Sequence, residues 1–142
     1  MATTYSTEAN GPLNTIPATN AEGSVVGGRM RRFRASITLA SQAAADVIVL
    51  AEIPAGSVFA YGVLNTDTSL GSSTVAIGHS SDADIYRSAA TFTATNTPTM
   101  FGRALGMAEG ALSAATQVNV TIAAATMPAS GSLVIDLYFS NG

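Results

Sequence analysis

No cysteine, no lysine and no tryptophan occur among the 142 residues, and only 11% of the chain is charged. Without cysteine there is no disulfide, no thiolate metal site and no thiol nucleophile, and the redox compartment is left open. The missing lysine is equally informative. Lysine keeps sheet surfaces solvated and edge strands unpaired; the six basic residues here are all arginine, which suits contacts that become partly desolvated. A free monomer with so little surface charge sits close to its solubility limit, so the composition points to a protein that covers much of its surface with partners. The formal net charge of −3 argues against a nucleic-acid partner, because affinity for the phosphate backbone rests on many basic contacts. No apolar run approaches the ~20 residues of a membrane span; the nearest, residues 43–51, is short and carries Asp46. Residues 1–6 have neither a basic start nor an apolar run, so no secretory signal is expected.

Catalytic signatures are also missing. The single histidine, His79, lies in a serine-rich stretch without a second histidine or an obvious carboxylate partner, and no serine occupies a Gly-x-Ser-x-Gly elbow. A glycosidase pair would normally sit among sugar-binding aromatics, which this chain has little to supply. There is no glycine-rich phosphate loop. Asp67, Asp82 and Asp84 could offer oxygens to calcium, but the Asp-x-Asp pair lacks the glycine and distal glutamate of a calcium loop, and aspartates in such turns serve the backbone. The expectation is a protein that is not an enzyme and uses no cofactor and no metal.

What is present is β-structure and turns, in one domain of ordinary size. Residues 1–28 are polar, with Pro12 and Pro17, and show no period of two or of 3.6; they read as an extended arm whose isolated anchors are Tyr5, Leu13 and Ile16, followed by Val25 and Val26. Residues 29–142 read as the β domain. It opens on the one charge cluster, Arg29, Arg31, Arg32 and Arg34, whose bidentate geometry suits carboxylates on a neighbouring chain. Phe33, Ala35, Ile37 and Leu39 then alternate with Arg34, Ser36 and Thr38, the pattern of a half-buried strand. Residues 47–50 are apolar on both faces, and residues 58–64 nearly so, which suggests either central strands or a subunit interface; Val47, Val49, Phe59 and Tyr61 are the candidates for that interface. Residues 79–87 read as a polar loop. Glycines at 102, 106 and 110 limit any helix in residues 100–113 to a turn or so, and Met100, Phe101, Leu105, Met107 and Leu112 read as packing residues. Strict alternation returns at 118–122 and 133–139. Seven or eight short strands without a long helix predict an all-β fold, an antiparallel β-sandwich or jelly-roll-like barrel with an extended N-terminal arm.

One set of residues carries a resemblance. Ile53-Pro54-Ala55-Gly56, the run from Gly62 to Gly71, Thr74 to Gly78, Asp82 to Arg87, Thr97-Pro98-Thr99, Val118 to Ile122 and Pro128 to Val134 resemble the capsid decoration, or cement, proteins of tailed phages. The likeness spans about the last two-thirds of the chain; residues 1–28 lie outside it. It implies a structural virion protein that forms a homotrimer on the outer surface of the head and bridges capsomers. The implied partners are the major capsid protein and further copies of itself, with arm and arginine cluster facing capsid or neighbour. The competing expectation is a tail-fibre or adhesin module that binds carbohydrate, for which Tyr61, Tyr86 and Tyr138 are the available aromatics.

Overall fold

The computed structural model describes residues 2–4, 6–20, 23 and 25–141. Eight strands form the domain: β1 (Arg29–Thr38), β2 (Val47–Ile53), β3 (Val58–Thr66), β4 (Thr74–His79), β5 (Asp82–Thr91), β6 (Thr99–Phe101), β7 (Thr116–Ala123) and β8 (Ser132–Asn141). They make two four-stranded antiparallel sheets, β1-β8-β3-β6 and β2-β7-β4-β5. First pairs with last, second with seventh, third with sixth, and fourth with fifth. That nesting is one long hairpin rolled on itself, the jelly-roll order, with both sheets closing on a shared core.

Alternation along each strand sets which residues enter that core. Ile37 on β1, Val118, Val120 and Ile122 on β7, and Leu133, Ile135, Leu137 and Phe139 on β8 are all buried between the sheets. Register shifts break the alternation on β2 and β3 and twice in the β4–β5 pairing. On β3 the pairing with β8 slips between Phe59 and Tyr61, so Phe59 points inward and Tyr61 outward, although they are two residues apart. On β2 the slip comes between Val49 and Ala51, after Val47 and Val49, which therefore stay together on the open face.

The stretch 79–87 is not a loop. His79 ends β4, Ser80-Ser81 make a two-residue turn, and β5 runs back from Asp82. Serines and aspartates there disguise a strand whose Ile85 and Tyr86 are both buried. The arm also departs from the extended reading: α1 (Thr7–Asn14) is a short helix capped by Ser6, whose hydroxyl accepts from the Ala9 N–H. An Asn14 to Asn10 side-chain bond spans one turn. Pro12 lies inside this helix, and with Gly11 it conceals the helix from a propensity reading. The second helix, α2 (Ala104–Met107), is the single turn that the spaced glycines allow.

Gly62 is required by close approach. It faces the ring of Phe101 on β6, and an added Cβ would collide with that ring. The aromatic covers the glycine, a cross-strand device that holds the short edge strand in register. Gly62→Ala is therefore expected to lower stability by roughly 1–3 kcal/mol through overpacking. Thermal denaturation followed by circular dichroism checks this, and an unchanged melting temperature would contradict the packing described.

Candidate functional site

Three places on the domain concentrate functional side chains. The first is the outer face of the β1-β8-β3-β6 sheet. Arg34 stands directly opposite Asp136; its Nε donates to Oδ1 and its Nη2 to Oδ2, both at 2.8 Å. This fork-on-fork pairing is the strong form of the interaction. It holds the buried Asp136 carboxyl below its ordinary value: the Arg34 hydrogen bond dominates, and burial opposes it. In the neighbouring row Tyr138 and Tyr61 stack with centroids 4.6 Å apart.

The second place is the open face of the β2-β7-β4-β5 sheet. Val47 and Val49, 57% and 54% exposed, stand opposite Thr121 and Asn119. These face Ala76 and Gly78 in turn on β4. None of these six residues carries a charge. On the other flank of the sandwich, Met100 on β6 with Leu105 and Met107 on α2 expose a second apolar patch. Of the five residues expected to pack in this segment, only Phe101 and Leu112 are buried.

The third is a cluster that sequence reasoning missed. Glu109, after α2, reaches His79 at the end of β4: His79 Nε2 donates to Oε1 at 2.6 Å, and the Tyr86 hydroxyl donates to Oε2 at 3.0 Å. Burial, with help from the Glu109 charge, raises the Tyr86 pKa above its ordinary value. The cluster borders an open cavity of about 530 Å³ lined by serine, threonine, glutamine and asparagine. Among the described residues no serine hydroxyl bonds His79, and no group of three side chains is arranged to hold a metal ion. The cluster is built to fasten a loop: Gly106 sits against Tyr86, and Arg103 donates to the Asp84 carbonyl at 2.8 Å.

The expected contact residues therefore fall in different places. Tyr5 lies outside the described residues. Leu13 and Ile16 are 70% and 99% exposed on the arm. Arg29, Arg31 and Arg32 are exposed at the start of β1. Arg34, its side chain 53% exposed, forks onto Asp136 within its own chain. The assignment of Phe59 to a subunit interface is corrected. It is 4% exposed, stacks on Tyr86 at 4.2 Å and belongs to this chain's own core. Tyr61 lies on the sheet opposite to Val47 and Val49, so the four interface candidates do not form one surface. Of the three tyrosines available to a carbohydrate, Tyr86 is buried, and Tyr61 and Tyr138 stack on each other.

No protein-family model matches the chain, and no curated protein matches it in sequence. Solved structures do resemble it. A chain of the cyanophage Pam1 capsid asymmetric unit superimposes with a TM-score of 0.67 at 18% identity, covering 81% of this chain and 86% of that one. A chain of the Ralstonia phage GP4 capsid gives 0.67 at 20% identity with the same coverage, 81% and 86%. A chain from the acid-stable capsid of the Helicobacter pylori phage KHP30 gives 0.57 at 12%, covering 80% and 89%. At these identities the likeness is one of fold.

Two outcomes test this geometry. Replacing Glu109 by alanine strands the Tyr86 hydroxyl and the His79 ring without their acceptor, and is expected to cost about 1–3 kcal/mol in urea denaturation; a neutral result would deny the cluster its fastening role. Asp136 has a lower pKa folded than unfolded, so the folded state binds fewer protons and its contribution is present above the ordinary value of 3.8. That contribution is lost as pH falls through the lowered folded value. Arg34→Ala should accordingly lower the melting temperature at pH 7, with the gap to the parent closing as the buffer is taken below about pH 4. A gap independent of pH would contradict the pairing.

Proposed function

We propose that the chain is a capsid decoration protein, a structural component of a phage head that trimerises on the outer surface of the shell and stabilises it by bridging capsomers. The observation that carries this reading is the eight-strand rolled topology, shared at a TM-score of 0.67 with chains of two phage capsids over more than four-fifths of each partner. The lysine-free, charge-poor composition supports it from a different direction, since such a surface favours burial against partners over solvation.

Two unlike apolar patches support a ring rather than a two-fold pair. Val47 and Val49 lie at one flank, on the edge strand β2, which neighbours β1; Met100, Leu105 and Met107 lie at the other, by β6 and α2. A two-fold interface uses the same patch twice, whereas a head-to-tail contact joins different patches and closes into a ring when the rotation permits. In a trimer, three modest attachments to the shell act together through effective concentration, so the whole resists pressure that no single contact would. The exposed arm anchors, Leu13 and Ile16, are disposed to lie along an adjacent capsid subunit, and Tyr5 is assigned to the same strap from sequence. The role is mechanical, and no catalytic step enters it.

Sedimentation velocity is expected to show a species of three 14.3 kDa chains, and purified phage heads should retain it on pelleting. Removing residues 2–24 should leave the oligomer folded and abolish head binding; retention of head binding would take the arm out of the mechanism. Val47→Asp with Val49→Asp should weaken self-association by roughly 2 kcal/mol or more without unfolding the protomer. A parent chain that sediments as a monomer and binds no head would overturn the proposal.

A further inference from the structure

The arginine cluster is not one site. Of the six arginines, Arg34 pairs with Asp136, and Arg103 pairs with Asp84 at 3.2 Å. Arg87 folds onto main-chain carbonyls of β4 and β5, those of Val75 and Ala90 among them. Arg29, Arg31 and Arg32 pair with no carboxylate among the described residues. Strand alternation then divides these three. Arg32 shares the outer face with Arg34, whereas Arg29 and Arg31 share the side of Phe33, at the end where the sandwich opens. There the chain turns from the arm into β1 at Gly27, whose φ of 77° suits glycine. Gly23, Val26, Gly27 and Asn141 close with the two arginines around a cleft of about 550 Å³.

We infer that this cleft is a docking site for an extended acidic segment of a different protein, which places carboxylates on Arg29 and Arg31. This rests on the head-binding reading above and names the chemistry of that contact. Two arginines at alternate strand positions stand about 6.6 Å apart along the chain, the spacing at which an extended segment presents side chains to one side. Each guanidinium offers a fork that matches a carboxylate in two bonds. A second copy of the folded domain is poorly equipped to fill the cleft. Its carboxylates are Asp46, Glu52, Asp67, Asp82, Asp84, Glu109 and Asp136, and all but Glu52 already hold a hydrogen bond or ion pair within their own chain.

The test titrates the full chain with a labelled hexaglutamate peptide at low ionic strength and maps the site by amide chemical shifts. Shifts centred on Gly27, Arg29, Arg31 and Asn141 are expected. The double variant Arg29→Gln with Arg31→Gln should lose at least tenfold in affinity with its melting temperature and oligomeric state unchanged, while Arg32→Gln on the opposite face keeps the affinity. Equal peptide binding by the double variant, or dissociation of the oligomer in that variant, would overturn the inference, the latter by making another copy the occupant. An oligonucleotide bound as tightly as the peptide would also overturn it, by making phosphate the ligand. The same variants are pelleted with phage heads. Heads that take up parent and double variant alike refute the docking role and leave the decoration reading standing. A parent chain that no head takes up refutes that reading, while the peptide titration still decides the chemistry of the cleft.

Discussion

The ladder between the first and last strands is the constraint on which the rest of the domain depends. Ten consecutive residue pairs, from Arg29 with Asn141 to Thr38 with Ser132, lock β1 to β8 without a slip, and β8 then supplies the other edge to β3. With that ladder fixed, the remaining pairs nest inside it and the two apolar faces are brought together. Arg34 and Asp136 sit at its middle, and their forked bond marks the register. A slip of one residue would send Leu133, Ile135, Leu137 and Phe139 to solvent, so the buried face and the ion pair specify the same alignment.

From this alignment follows the division of labour on the surface. On the outer face of one sheet Arg34 and Asp136 spend their charges on each other beside a tyrosine stack, while Arg32 stays exposed. The other exposes Val47 and Val49 on its edge strand, with Glu52 exposed further along that strand. Loops at the Glu109 end are tied down by hydrogen bonds, and the arm leaves from the end where Arg29 and Arg31 meet no carboxylate among the described residues. The exposed valines of that sheet and the chain's low charge connect the composition to the proposed life on a shell.

Much of the sandwich was legible in the sequence because alternation is a local signal. Phe33 to Leu39, Val118 to Ile122 and Leu133 to Phe139 each declare a buried face within a few residues. The errors have equally local causes. Phe59 and Tyr61 share a face by parity, and only the bulge between them, invisible without the partner strand, separates core from surface. Ile85 and Tyr86 are adjacent and both buried, so β5 shows no clean period and its serine-aspartate start mimics a loop. The contact sites were less legible, because they depend on meetings between distant residues: Arg34 with Asp136 across 102 positions and His79 with Glu109 across 30. The arginine cluster stood out as a run, but which members remain free could be known only after the ladder had claimed one of them.

The place of β8 also bears on how the protein is made. It is the last strand in the chain yet lies inside its sheet, between β1 and β3. During vectorial synthesis β1 and β3 emerge before the strand that joins them, and that sheet can assemble only once residues 132–141 have been delivered. A product that stops before β8 therefore lacks a continuous β1-β8-β3 sheet and leaves β1 without its ladder partner.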